Sequence, residues 1–196
     1  MLRDLRIGEF LDRLAAKTPT PGGGSAGALA GAVGSALGVM STRFSGAGPE
    51  ADLDALRREF AELIDRDAEA YNRFDAALKM PKGSEAEKKA RSAAMQEAAV
   101  GAARVPLEGI RRCGRALELL GAFAPQCSKH LASDLASGAI LLQAAARVMV
   151  QNVVINLGSI RDPKTADSIR SDMNAAIGAV DAGYAGVMAH ADKLGG

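Results

Sequence analysis

Residues 52–78 read DLDALRREFAELIDRDAEAYNRFDAAL, and the apolar positions in this stretch step by three and four. Leu53, Leu56, Phe60, Leu63, Asp67, Tyr71, Phe74 and Leu78 fall on one seam of a helix. One member of that seam is a carboxylate. Asp67 stands seven residues after Phe60 and seven before Phe74, so it is expected on the packed side. An ionised, unpartnered carboxylate on such a face costs several kcal/mol (roughly, by transfer of a charge from water). It therefore has a partner, is protonated, or borders a cavity; a structural polar residue at a coiled-coil-like position is the plain alternative.

The flanking segments carry the same period. Ile7, Phe10, Leu11 and Leu14 give a helix over about 7–17, stopped by Thr18-Pro19-Thr20-Pro21, because residues before proline leave the helical region. Ser84 and Glu87 form a capping box for a helix that meets Pro106, is expected to kink there, and continues through Ile110, Cys113 and Leu117. Ser133 or Asp134 can cap another long helix, which carries Asn152 and Asn156 on adjacent turns. Asp162-Pro163 opens the last one, with Ile169, Met173, Ile177, Val180, Tyr184, Val187 and Leu194 as its stripe. No segment alternates with period two. The expected fold is all-α, a bundle of about six long helices forming a single domain over 1–196.

Between the first two helical signals, Gly22, Gly23, Gly24 and Ser25 open an uncharged run that reaches Thr42. It is long enough to span a bilayer, but its large apolar residues are few and glycine and serine insert poorly, which favours a buried central helix. Gly27 and Gly31, then Gly34 and Gly38, lie four apart, a face that another helix, or a second subunit, can approach closely. The glycine turn matches G-x-G-x-x-G in letters only, since no strand precedes it. Free N–H groups at a helix start suit an anion or a carbonyl-rich ligand, and a tight turn into a buried helix explains the glycines equally well.

The formal net charge is +1, with no broad basic footprint for nucleic acid. Cys113 and Cys127 are spaced as buried free thiols rather than as a metal motif, and the two histidines leave little for a metal site. The N-terminus, with Arg3, Asp4, Arg6 and Glu9, lacks a signal-peptide pattern, so a cytoplasmic protein without a membrane or nucleic-acid partner is expected. By themselves, Lys79 and Lys82 are ordinary solvated charge, Ser133-Asp134 is a helix cap, and Asn152 and Asn156 either read a heterocycle's edge or cross-link helices.

Four stretches in order resemble one family. Thr18-Pro19-Thr20-Pro21-Gly22-Gly23-Gly24-Ser25 before an Ala/Gly-rich helix is similar to the opening of the cyclodeaminase/cyclohydrolase family. Asp67-Ala68-Glu69-Ala70-Tyr71-Asn72, Met80-Pro81-Lys82, and Ser133-Asp134 followed by Asn152-Val153-Val154-Ile155-Asn156-Leu157 resemble its later motifs. The sequence departs from the family pattern at Lys129, His130 and Leu131, where an Asn usually precedes the Ser-Asp pair, and at Gln151.

The resemblance implies an all-α homodimer acting on a folate, with no metal and no redox cofactor. It implies hydrolysis of 5,10-methenyltetrahydrofolate, or the neighbouring cyclodeamination of the 5-formimino compound; a non-catalytic folate- or protein-binding module is the remaining alternative. The hydrolase is preferred because this sequence carries no formiminotransferase domain to supply the formimino substrate. On this reading Asp67 is the acid/base group and Gly22, Gly23, Gly24, Ser25 and Lys82 hold substrate, Lys82 at a carboxylate of the glutamate tail. Asn152 and Asn156 address the pterin or orient water. Asp134, the second catalytic candidate, is separated from Asn152 by ~27 Å of helix at ~1.5 Å per residue, so it joins the same reacting carbon only across a dimer, or serves as a cap.

Overall fold

The structure is a computed structural model that describes residues 1–195, with side chains through Lys193. The described residues form six α-helices and no strand: α1 (Ile7–Ala15), α2 (Gly23–Ser45), α3 (Glu50–Leu78), α4 (Glu85–Phe123), α5 (Ala132–Leu157) and α6 (Pro163–Gly195). Short 3-10 turns precede α1 and join α4 to α5. The all-α expectation holds. α1 stops two residues short of the expected Lys17, at Ala15.

Helix ends follow the local chemistry. Ser84 Oγ accepts from the Glu87 N–H at 3.2 Å while Glu87 Oε2 accepts from the Ser84 N–H at 2.8 Å, the reciprocal pairing expected before α4. Asp162 accepts from the Thr165 N–H at 3.1 Å and the Lys164 N–H at 3.3 Å ahead of Pro163. The expected cap of α5 is corrected. The helix begins at Ala132 with Leu131 as its flanking residue and no side-chain cap, so Ser133 and Asp134 lie inside the first turn. Asp134 still favours that end electrostatically, since a carboxylate there faces the positive end of the helix dipole.

The expected central, buried place of α2 is corrected: α2 packs between α3 and α5 with one face open at Val33, and its glycines decide how it packs. The expected pairing of Gly27 with Gly31 and of Gly34 with Gly38 as faces for a second subunit is corrected. The rows run by sevens. Toward α3, a Cβ at Gly31 would lie 2.7 Å from the Phe60 ring, and one at Gly38 would lie 3.3 Å from Leu53, with Leu120 of α4 nearer still at 2.8 Å. Toward α5, a Cβ at Gly27 would lie 3.2 Å from Met149 and Val148, and one at Gly34 would lie 2.9 Å from the Gly138 carbonyl oxygen. Seven residues bring a helix round by about two turns, whereas four overshoot one turn by ~40°. Rows spaced by seven therefore face one neighbour, and both rows are consumed within the chain.

The seam of α3 also changes partner midway. Leu53, Leu56, Phe60 and Leu63 are buried as expected, but past Asp67 the buried positions become Ala68, Ala70 and Ala77. Tyr71 and Leu78 are each 41% exposed. Because α2 begins only at Gly23, opposite Asp67, the last turns of α3 have no α2 to cover them. In α6, Ile169, Met173, Val180 and Val187 are buried as expected, while the Leu194 side chain lies outside the described residues.

α4 runs unbroken through Pro106, which has no N–H to give to the Ala102 carbonyl one turn back. The Asn156 side-chain amide donates to that carbonyl at 2.9 Å, which closes the gap and fixes α5 to α4. Cys113 and Cys127 are buried free thiols; burial pushes both up from the ordinary thiol range, with the Asp134 charge adding a smaller push at Cys127. By length and composition α2 and the segment Lys129–Leu157 are each apolar enough to cross a membrane, and both pack into the bundle.

Candidate active site

The antiparallel contact of α2 with α3 has a third rung. After Leu53 at Gly38 and Phe60 at Gly31 comes Asp67 at Gly24, where a Cβ would fall inside the Asp67 carboxyl group. Only a residue without a side chain lets the carboxyl reach the α2 backbone there. The first turn of α2 leaves N–H groups without helical partners, and Gly22 stands just outside it, its carbonyl accepting the first helical bond from Ala26 at 3.0 Å.

Ser25 is fully buried beside this contact. Its Oγ lies 2.9 Å from Asp67 Oδ2 and 3.0 Å from the Ile64 carbonyl oxygen. The Asp67 carboxyl is pushed above the ordinary carboxylate range by burial, and the Ser25 hydroxyl and N–H offset part of that push. The cation next to it in sequence gives no help. Arg66 points to the other flank of α3, where its guanidinium grips both oxygens of Glu108 at 2.8 and 3.1 Å.

Across the same helix end stands α5. A Cβ at Gly23 would lie 3.4 Å from the Asn152 side-chain amide nitrogen, which donates to the Val148 carbonyl of its own helix at 2.9 Å. The structure therefore brings together Asp67, Gly22, Gly23, Gly24, Ser25 and Asn152. Three candidates stand apart. Asn156 is one turn further on, and its amide nitrogen is engaged by Ala102. Lys82 is exposed in the connector beyond the end of α3, past about 16 Å of helix from Asp67 to Leu78. Asp134 is at the opposite end of α5, so within one protomer it does not share the site of Asp67.

Sequence reasoning gave Ser25 to the substrate, and its complete burial turns it to Asp67 instead. It also passed over a groove of about 1050 Å³ on the other flank of α3, lined by Arg66, Ala70, Arg73, Val105, Glu108 and Arg161 among others. Arg66, Ala70, Arg73 and Ala77 recur at helical spacing, the signal that could have marked it. Asp67, Ser25 and Asn152 do not line this groove. Among the described residues no cluster of His, Cys, Asp and Glu is arranged to ligate a metal.

Comparison with known proteins now identifies the relatives of this arrangement. A family model described as formiminotransferase-cyclodeaminase matches residues 6–175, nearly the whole bundle. The chain belongs to the formiminotransferase-cyclodeaminase family. Within it, a methenyltetrahydrofolate cyclohydrolase from Methylorubrum extorquens is 34% identical over 173 residues, covering 82% of this chain and 83% of that protein. The formimidoyltransferase-cyclodeaminase of Gallus gallus is 31% identical over 170 residues, 81% of this chain but only 31% of that longer protein. The crystal structure of formiminotetrahydrofolate cyclodeaminase from Thermotoga maritima superposes with a TM-score of 0.88 at 27% identity, covering 99% of each chain. The six-helix bundle is thus the architecture of the family, and the glycine-rich start of α2, Asp67 and Asn152 all fall inside the matched segment.

Proposed function

We propose that this chain hydrolyses 5,10-methenyltetrahydrofolate to 10-formyltetrahydrofolate. The observation that carries this is the Asp67 carboxyl, held by burial above its ordinary range and seated on the backbone at the start of α2. A carboxyl so placed holds its proton more readily than an exposed one, which suits it to take and return a proton. The bridging carbon of the substrate is already an electrophilic amidinium carbon. Water adds to it as Asp67 takes one of the water protons, giving a neutral hydroxyl adduct. The bond from that carbon to N5 then breaks, N5 takes the proton back from Asp67, and the hydroxyl proton leaves to solvent. The step needs no cofactor. Asn152 beside Gly23 is placed to orient the pterin or the water, and Lys82 is left for the glutamate tail.

The Methylorubrum relative, matched over most of both chains, favours hydrolysis. The end-to-end likeness to the Thermotoga structure favours a second reading, in which N10 attacks the formimino carbon of 5-formiminotetrahydrofolate and ammonia leaves. A chain of this size therefore does not by itself select the hydrolase. The same Asp67 would serve either reaction. We further propose a homodimer, supported by the apolar side chains of Val33, Ile140 and Val148, which α2 and α5 leave exposed.

The test supplies each folate in turn while ammonia and the methenyl absorbance are followed. Loss of the methenyl absorbance above the buffer rate, without ammonia, is the expected result. Ammonia from the formimino compound, with methenyl hydrolysis at the buffer rate, would transfer the assignment to the cyclodeaminase. No turnover of either would overturn both.

A further inference from the structure

Ser25 has one hydroxyl proton and two acceptors. Its Oγ is 2.9 Å from Asp67 Oδ2 and 3.0 Å from the Ile64 carbonyl oxygen, and the side chain is sealed from solvent. A hydroxyl donates once and accepts twice, so it cannot donate to both oxygens together. Two arrangements satisfy the geometry. With Asp67 ionised, Ser25 donates to the carboxylate. With Asp67 protonated, the carboxylic acid donates to Ser25 Oγ and the hydroxyl turns to Ile64. In both, Ser25 Oγ and Asp67 Oδ2 stay hydrogen-bonded to each other, and the change requires rotation about one Cβ–Oγ bond.

We propose that Ser25 is a positioning residue that turns its hydroxyl proton between Asp67 and the Ile64 carbonyl each time Asp67 loses or gains a proton. No heavy atom has to move for the carboxyl to change charge, which suits a proton-transfer group in a packed site. Among the described residues, Ser25 makes the one side-chain hydrogen bond to Asp67. α2 presents only Gly23, Gly24 and Ser25 at this point, α5 presents the neutral Asn152, and on α3 Arg66 is taken by Glu108, which is on α4. The hydroxyl bond to the ionised form is the stronger of the two, being charge-assisted, so Ser25 also limits how far burial raises the carboxyl.

The inference rests on Asp67 being the proton-transfer group, and its test separates the two claims. Protein labelled with ¹³C at aspartate carboxyls is titrated by NMR, with Asp67→Asn assigning the Asp67 signal. Initial rates are measured across the same pH range. In Ser25→Ala the Asp67 midpoint is expected to move to higher pH, the acid limb of the kcat/KM profile to move with it, and turnover to fall about tenfold. Ser25→Cys, whose thiol donates weakly, should fall between Ala and the natural serine. An Asp67 midpoint unchanged in both variants would overturn the proposal. So would a raised KM with an unmoved pH profile, which would return Ser25 to substrate binding. Because the titration needs no turnover, it reads the Ser25–Asp67 coupling even if the assigned reaction is wrong.

Discussion

The contact between α2 and α3 is a ladder whose rungs are built alike and do different things. At two of them a glycine of α2 admits an apolar side chain of α3, Leu53 at Gly38 and Phe60 at Gly31, and the result is core. At the third, Gly24 admits the carboxyl of Asp67. Phe60 in its rung is fully buried, so its contact lowers the free energy by removing apolar surface from water. Asp67 in its rung is half-buried, so its loss of water raises the free energy of the ionised form, and the Ser25 contacts offset only part of that. The same close approach thus stabilises the fold at one end of α2 and, at the other, where the ladder runs out and α3 overhangs its neighbour, buries a carboxyl at a cost to its charge.

The sharpest break of this comparison is Asp67→Asn, which keeps shape and removes the proton. Turnover is expected to fall ~100-fold or more, read from initial rates, with far-UV circular dichroism unchanged. Stability should respond oppositely. A carboxyl raised above its unfolded value near 3.8 stabilises the fold fully below that value and loses this contribution as pH rises through the folded value. The Tm difference between Asp67→Asn and the natural protein should therefore grow in favour of the variant as pH rises above about 4. A variant with full activity would make Asp67 a packing residue and dissolve the distinction between the rungs.

Next in size is a pair of substitutions that should separate the two kinds of rung. Gly31→Ala places a Cβ 2.7 Å from a ring atom of Phe60, which is buried on all sides and has nowhere to go. A loss of ~1–3 kcal/mol in denaturant unfolding is expected, with kcat close to natural. Gly24→Ala meets the far end of one side chain, which can swing aside, so unfolding should change by less than ~1 kcal/mol while turnover falls about tenfold or more. Equal effects of the two on stability and activity would mean that the rungs are not distinct.

The smallest expected effect lies outside the ladder. Asn156→Leu leaves the Ala102 carbonyl without the donor that Pro106 cannot supply, and ~1–2 kcal/mol should be lost. KM for the folate should stay within about twofold if Asn156 serves the carbonyl that Pro106 leaves open in α4. A large KM rise at unchanged stability would restore it as a substrate contact.

How much of this was legible in the residues differs by element. The helices were, because a 3.6-residue period and the caps at Ser84 and Asp162 are local and fall on consecutive turns. Asp67 was singled out because a carboxylate on an apolar seam is costly wherever the seam leads. The cap of α5 departs from the expectation, since Ser133 and Asp134 have the right chemistry two and three residues too late, and a 3-10 turn from Lys129 to Leu131 starts the chain curling before them. The glycine rows were paired by fours within a single helix, when the angle that matters is the one at which the neighbours lie.

The sequence by itself determined the helices, their approximate limits, the close approach that the glycine-rich one permits and the identity of the unusual carboxylate. Each follows from interactions within a few turns of one helix. Tertiary structure alone decided what those residues face. It set Gly24 against Asp67, Ser25 inward to that carboxyl, Asn156 at the carbonyl orphaned by Pro106, and Asp134 at the far end of α5. Such facts depend on the relative height and rotation of separate helices. These are fixed by the sum of many weak side-chain contacts across the bundle, a quantity that no short stretch of one helix contains.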